Sequence, residues 1–326
     1  MLVEEVFQKF QDLRVLIIGD VMVDAYIWGA VERVSPEAPV PVVRVTKKDY
    51  RLGGAANVAL NVQALGATAI LCAAIGKDDA GERFKERLKD HALWDDGVIE
   101  SSNRSTTVKT RIISGHQHVV RIDEETDEVL SSEEEHELLA RIATLLPRCN
   151  VVIFEDYDKG VITDRVICET ISKANEMGIP SVVDPKKRNF LKYKGATLFK
   201  PNLKELKEGL KSDIDPTRKD DIETAVERLK DTLNVDGALI TLSEHGVFID
   251  YAGKKHMIPA HVREVSDVSG AGDTVISIAG LCLGLKLNAR QIASLSNLGG
   301  GLVCEHVGVV PIDKEILFRE ASQIGL

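Results

Sequence analysis

Val151-Val152-Ile153-Phe154-Glu155-Asp156-Tyr157-Asp158-Lys159-Gly160 is four apolar residues running into a cluster of charge and a glycine. It reads as a strand of a buried parallel sheet followed by a polar loop at the strand's C-terminal end. Outward from it, the pattern predicts a helix over 163–177, strands over 180–184 and 197–200, a helix over 221–229 and a strand over 237–242. Strands separated by helix-sized gaps make a parallel sheet with right-handed crossovers. Ligands of such sheets bind beyond the strands' C-terminal ends. That is where Glu155 to Gly160, Asp184-Pro185-Lys186, Lys200-Pro201-Asn202 and Ser243-Glu244-His245-Gly246 fall.

Upstream, LRVLIIG (13–19) is another buried-strand pattern, but no GxGxxG follows, so the dinucleotide fingerprint is absent. Asp20 and Asp24 beyond it suit a hydroxyl-rich ligand, or are solvated loop acids. Pro36, Pro39 and Pro41 forbid a helix and predict an extended edge or a small appended sheet. Gly53-Gly54-Ala55-Ala56-Asn57 leads into a helix over 58–65, with backbone able to approach a ligand and Asn57 in the first turn. A strand over 69–76 and a helix over 79–91 follow. Residues 106–113 and 118–122 alternate like paired strands around Ser114-Gly115 and join the same small sheet. His116 and His118 share a face without a third ligand, which argues against a metal site. Residues 123–137 read as a solvated acidic loop and helix start.

Of 326 residues, 44% are hydrophobic and 28% charged, enough for a sizeable core in a soluble chain. The net charge of −10 argues against nucleic acid or an anionic membrane as partner. Cys72, Cys149, Cys168, Cys282 and Cys304 show no metal or redox spacing and read as reduced thiols. The acidic, amphipathic N-terminus is unlike a signal peptide, and no uncharged apolar run reaches the ~20 residues of a membrane span. The expected location is the cytoplasm.

The chemistry centres on Asp267-Val268-Ser269-Gly270-Ala271-Gly272-Asp273, which enters the apolar stretch 274–285. Two glycines permit a tight turn into a helix whose first N–H groups lack acceptors and whose dipole favours anions. Asp273 beside them is placed to take a proton from a hydroxyl. An anion hole and a base on one turn are the minimum equipment of a phosphotransferase. No Walker A, GxSxG, HExxH or protein-kinase catalytic loop is present. Asn202 and Glu205, three residues apart, suit metal-bound water and nucleotide phosphate from one helix face. Lys159, Lys186 and Arg111 or Arg121 suit a substrate already carrying a phosphate.

Gly53-Gly54-Ala55-Ala56-Asn57 together with Asp267 to Asp273 resembles the two signatures of the ribokinase-like (PfkB) carbohydrate kinases. Within that family, Gly19 to Asp24, Arg33 to Pro41, Asp184-Pro185-Lys186 and Thr241 to Gly246 are similar to bacterial heptose-7-phosphate kinases. The resemblance implies one doubly wound α/β domain over 1–326, mainly parallel with helices on both faces, and a small β-sheet lid from segments near 24–50 and 105–123. It implies Asp273 as base and Gly270, Ala271 and Gly272 as the anion hole. Asp24, Gly53, Gly54 and Asn57 would hold the sugar, with Arg111, Lys159 and Lys186 on the substrate phosphate. Asn202, Leu203, Lys204 and Glu205 would meet ATP, Glu205 reaching Mg²⁺ through water. Ser243, Glu244, Gly246 and Asn297 would line the nucleotide pocket, with a monovalent cation as a further requirement. The implied reaction is ATP-dependent phosphorylation of the anomeric hydroxyl of D-glycero-D-manno-heptose 7-phosphate to the 1,7-bisphosphate, in ADP-heptose and lipopolysaccharide core synthesis. The alternatives are a kinase of the same fold for another sugar, ketose phosphate or nucleoside, and a non-catalytic sugar or nucleotide sensor. Partners implied are a second copy docked through the lid, as a homodimer, and a separate nucleotidyltransferase acting downstream. Three departures stand out: no HxGH motif of the nucleotidyltransferase that some relatives carry fused, Glu155 where relatives commonly have Ser, and Asp158 where they have a small residue.

Overall fold

The computed structural model describes residues 1–115, 117–261 and 263–325. Residue 116, one of the two histidines considered above, lies outside the described residues. In chain order the strands are β1 (Arg14–Gly19), β2 (Val21–Val34), β3 (Pro41–Gly54), β4 (Thr68–Gly76), β5 (Trp94–Ser101), β6 (Thr107–Ser114) and β7 (Gln117–Glu124). They continue with β8 (Val151–Glu155), β9 (Ser181–Asp184), β10 (Leu198–Phe199), β11 (Gly237–Thr241), β12 (Val247–Tyr251) and β13 (Lys254–Ile258). Nine of them form one sheet in the order β13-β12-β11-β10-β9-β8-β1-β4-β5. It is parallel from β11 through β5, with an antiparallel hairpin at the β13 edge.

Both faces of this sheet are covered, which is why its strands read as unbroken apolar runs. Val15 and Ile17 point into a core shared with the helices Ala55–Ala64, Ala271–Gly284 and Ala289–Val303. Leu16 and Ile18, one residue out of phase, point into the opposite core with Ser132–Leu145, Asp164–Glu176 and Lys219–Leu233. This is a doubly wound α/β architecture, mainly parallel with helices on both faces.

A second sheet, ordered β3-β2-β6-β7, stands apart from the first. β2 and β3 form a long antiparallel hairpin, β2 pairs in parallel with β6, and β6 pairs antiparallel with β7. The prolines have a positional reason: Pro36 and Pro39 occupy the connection, and Pro41 begins edge strand β3. No helix among the described residues is long and apolar enough to cross a membrane.

Register aligns the strand ends that matter. Gly19 lies opposite Glu155, and Glu155 opposite Asp184, so β1, β8 and β9 finish level. Neighbouring residues in register share a sheet face. Glu155 and Asp184 therefore stand side by side where the chain leaves the sheet.

Candidate active site

The helix Ala271–Gly284 starts at Gly270, whose φ of 81° and ψ of −2° suit the third position of a tight turn and favour glycine. That turn is closed by the Ala271 N–H donating to the Val268 carbonyl at 3.3 Å. Ala271, expected as part of the anion hole, therefore spends its amide on the turn. Among the described residues, the N–H groups of Gly270, Gly272 and Asp273 donate to no protein acceptor. The open amides are thus those three, at the positive end of a 14-residue helix.

Asp273 lies in the first turn of that helix and is 3% exposed. Its Oδ2 accepts from Asn57 Nδ2 at 2.7 Å, and its Oδ1 from the Tyr157 hydroxyl at 2.8 Å. Asn57 is fixed in turn by Asn61, whose Nδ2 donates to the Asn57 carbonyl at 2.9 Å. The Thr274 hydroxyl donates to Asn61 Oδ1 at 3.0 Å, locking the helix Ala55–Ala64 against the helix that carries Asp273. Burial pushes the Asp273 carboxyl up to about 6; the Asn57 and Tyr157 hydrogen bonds restrain it, while Asp184 and Asp24 add repulsion. A buried carboxylate titrating near neutrality is suited to general-base work. Asn57, expected on the sugar, gives its amide to Asp273 in this structure.

Beside this helix start is a buried ionic floor. Lys200 Nζ sits 2.7 Å from Asp184 Oδ2, and Lys186 Nζ 2.7 Å from Glu205 Oε1 and 3.9 Å from Asp184 Oδ1. Burial opposes charge on Lys186, but Asp184, Glu205 and Glu155 outweigh it and hold its pKa above the ordinary lysine value. Both Glu155 carboxyl oxygens are buried without a partner among the described residues. Burial, then repulsion from Asp184 and Asp273, pushes Glu155 well above the usual carboxylate range, so the neutral acid is favoured there.

On the lid side, Asp24 is buried and paired with Arg111 Nη1. Gly53 makes room for that carboxylate, since a Cβ at 53 would lie 2.1 Å from Asp24 Oδ2. Gly54 packs on the Asp20 carbonyl, which a Cβ would approach to 2.4 Å. Asp20 is structural: its carboxylate accepts the N–H groups of Tyr157, Lys159 and Val161 at 2.8, 3.1 and 3.1 Å and pins the loop after β8. Lys159 Nζ pairs with Glu125 Oε1 at 3.0 Å. Arg121 is engaged with Asp123.

The residues expected to meet nucleotide cluster beyond β10 and β11. Asn202 caps the helix Leu203–Leu210: its Oδ1 accepts from Glu205 N at 2.8 Å, and Glu205 Oε2 accepts from Asn202 N at 2.9 Å. Both Glu205 oxygens are thereby engaged, one by the cap and one by Lys186. Leu203 packs on the core, whereas Lys204 is exposed beside Glu208. Ser243 and Glu244 lie in a short turn after β11 that ends at Gly246. Asn297 Nδ2 donates to the Pro259 carbonyl at 2.8 Å, tying the helix Ala289–Val303 to the chain beyond β13.

The sequence profile of the pfkB family carbohydrate kinases matches residues 12–314. The chain belongs to this family. The Bifunctional protein HldE of Citrifermentans bemidjiense is 38% identical over 321 residues, covering 98% of this chain and 66% of that protein. That of Geotalea uraniireducens is 40% identical over 319 residues, covering 98% and 65%. The chain thus spans about two thirds of the length of these curated relatives. Phosphofructokinase-2 from Escherichia coli in complex with potassium superimposes with a TM-score of 0.78 at 17% identity, over 95% of this chain and 99% of that one. Ribokinase from Arabidopsis thaliana with ribose and ATP gives 0.73 at 16%, over 94% and 99%. At these identities the solved structures show the shared fold. Family and relatives together make the protein a phosphotransferase acting on a sugar hydroxyl.

In this carbohydrate kinase, sequence reasoning did not single out Tyr157, Asn61, Asp184 or Lys200 as site residues. The strand-end rule had located Tyr157, Asp184 and Lys200. What identifies their roles is pairing across distant segments, and single-sequence spacing carries no signal for that.

Proposed function

We propose that this kinase transfers the γ-phosphoryl group of ATP to the anomeric hydroxyl of D-glycero-D-manno-heptose 7-phosphate, giving the 1,7-bisphosphate for ADP-heptose and lipopolysaccharide core synthesis. The observation that carries the chemistry is the Asp273 carboxylate, buried and gripped on both oxygens, one turn from open helix-start amides. The choice of sugar is supported by the likeness to HldE proteins at 36–40% identity and by the heptose-kinase-like segments at 19–24, 33–41 and 241–246.

In this reading Asp273 takes the proton as the sugar O–H bond breaks. The sugar oxygen bonds to the γ-phosphorus, and the bond from phosphorus to the β,γ-bridging oxygen breaks, leaving ADP. The amides of Gly270, Gly272 and Asp273 face charge on the travelling phosphoryl group. Mg²⁺ supplies neutralisation of the phosphate oxygens. Among the described residues no cluster of three or more His, Cys, Asp or Glu is arranged to hold a metal. Such sparse ligation fits an ion that keeps its waters and binds mainly to phosphate. Glu205 would hold it through water, with Lys186 as the neighbouring cation. Asp24, Gly53 and Gly54 bound the sugar side; Asn202 to Glu205, Ser243, Glu244, Gly246 and Asn297 bound the nucleotide side. A monovalent cation is a further proposed requirement, potassium being present in the E. coli phosphofructokinase-2 complex.

The whole chain is proposed to act as one kinase domain in the cytoplasm, with the four-stranded sheet as its lid and as the face of a homodimer. Exposed Val31, Val34, Val45, Val120 and Ile122 on that sheet support the dimer. A nucleotidyltransferase activity would act downstream of it.

The test is ATP consumption against a panel of heptose 7-phosphate, heptose, fructose 6-phosphate, ribose and nucleosides. The proposal expects the highest kcat/KM for heptose 7-phosphate. A higher value for a ketose phosphate, an unphosphorylated sugar or a nucleoside reassigns the substrate. Tight sugar binding without transfer to any acceptor would make the chain a sensor.

A further inference from the structure

We infer that Tyr26 and Arg51 are positioning residues for phosphoryl transfer. From the lid they grip the backbone of Val309, and through residues 308 and 309 they set the shape of the turn that carries the open amides. The inference rests on the phosphotransferase reading of that turn and deepens it.

Tyr26 lies on β2 and Arg51 on its partner β3, whereas Val309 lies in the irregular stretch between the helices Ala289–Val303 and Lys314–Gln323. The Tyr26 hydroxyl accepts from the Val309 N–H at 3.2 Å, and Arg51 Nη1 donates to the Val309 carbonyl at 3.1 Å. Both backbone polar groups of one core residue are thus taken by the lid. The Arg51 guanidinium lies 4.7 Å over the Tyr26 ring, and its Nε donates to Asp49 Oδ2 at 3.0 Å, which fixes its donating pose. Tyr26 and Val309 are both buried, so breaking either contact leaves polar atoms away from water.

Two routes lead from this grip to the turn. The first is steric. A Cβ at Gly270 would lie 3.4 Å from Val309 Cγ1 and 3.1 Å from Asn57 Nδ2, so Gly270 sits between the Val309 side chain and the amide that donates to Asp273. The second is polar. The Gly308 N–H donates to Asp267 Oδ2 at 2.9 Å, while Asp267 Oδ1 accepts from the Ser269 N–H at 3.0 Å and the Ser269 hydroxyl at 2.8 Å. Burial raises the Asp267 pKa, but the Ser269 and Gly308 N–H groups outweigh it and hold the carboxyl below its ordinary value. The lid closes directly on this backbone, since a Cβ at Gly308 would lie 3.0 Å from the Tyr26 hydroxyl and 3.1 Å from Arg51 Nη1. Further on, the Ile312 N–H donates to Asn61 Oδ1 at 3.0 Å, the same oxygen that accepts from Thr274. The stretch 308–312 is therefore tied at both ends to the start of the helix Ala271–Gly284.

Donors of an anion hole work by being aimed in advance, so a small shift of the turn costs transfer rate more than ground-state affinity. Tyr26 and Arg51 make and break no covalent bond; they hold backbone in place.

The test uses the full chain and three variants: Tyr26→Phe, Arg51→Ala and Arg51→Lys. The first readout is single-turnover transfer at saturating ATP and saturating sugar, using the best acceptor of the panel above, beside the KM for each substrate. The second is amide hydrogen exchange over residues 266–274 in the protein without ligands. The saturated rate should fall about 3- to 10-fold in Tyr26→Phe and about 10- to 100-fold in Arg51→Ala, with the ATP KM unchanged. Arg51→Lys can still donate to the Val309 carbonyl and should recover most of the rate, which a folding defect would not allow. The turn amides should exchange several-fold faster in Tyr26→Phe and Arg51→Ala. Wild-type saturated rates in both variants, with any loss confined to the sugar KM, overturn the proposal while leaving the kinase reading intact; the pair would then only dock the lid. If the wild type transfers phosphate to no sugar, the phosphotransferase reading fails and exchange decides whether the lid shapes the turn. Faster exchange in both variants then upholds that link, and unaltered exchange overturns it.

Discussion

Tyr157→Phe removes one of the two donors on the base while leaving the ring and its packing in place. The lost bond, 2.8 Å from a half-buried phenol to a buried carboxylate, belongs to the class worth about 1.5–3 kcal/mol. That bond favours the ionised form of Asp273, and one pKa unit corresponds to about 1.4 kcal/mol. Its removal should raise the Asp273 pKa by about one to two units from its position near 6. The sign for activity follows from the working form: the base acts ionised, so turnover falls as pH drops through its pKa. The acid limb of kcat/KM should therefore move to higher pH. The variant should lose about 3- to 25-fold near pH 6.5 and recover toward wild type by about pH 9. The assay is kcat/KM for the sugar across that range, with ATP saturating. A uniform loss with the limb unmoved would mean that Tyr157 only fills space, and the reasoning would be refuted.

Gly53→Ala would drive a Cβ to 2.1 Å from Asp24 Oδ2 and force that carboxylate off Arg111. The sugar KM should rise about tenfold with the ATP KM unchanged, checked by steady-state kinetics. Lys200→Met leaves Asp184 buried without its 2.7 Å partner and should cost about 3–5 kcal/mol in urea unfolding. Glu155→Gln bears on stability against pH. Because the folded pKa of Glu155 lies above its ordinary value of 4.5, the unfolded chain ionises first as pH rises, and the wild type loses stability from there up to the folded pKa. The variant should melt higher than wild type near pH 8, by about 1–3 kcal/mol equivalent, with the gap closing toward pH 4. A constant gap at all pH values would contradict a neutral buried acid.

Much of the scaffold was legible because burial on both faces leaves a plain trace. Runs such as Val151 to Phe154 carry no polar face, and the charge that ends them marks the rim where ligands bind. Turn chemistry was equally readable at Gly270, where the backbone itself demands glycine. Three things were not legible. The turn that frees the Asp273 amide also consumes that of Ala271, a consequence of one hydrogen bond to Val268. Asn57 and Asp20 are polar residues at the expected rim, yet their atoms are spent within the protein, on the base and on the loop 157–161. Likewise Asn202 and Glu205 cap each other, so the same spacing serves a helix start before any nucleotide is considered. Spacing specifies which residues share an edge, whereas the partners of the Asp273 and Asp20 carboxylate oxygens come from segments more than a hundred residues away.

The central claim is that Asp273 takes the proton while the helix-start amides face the phosphoryl group. Asp273→Asn tests it most directly, by single-turnover phosphoryl transfer with a parallel titration of ATP binding. The account predicts transfer slowed about 10²- to 10⁴-fold with nucleotide affinity largely intact. Transfer at the wild-type rate would contradict it.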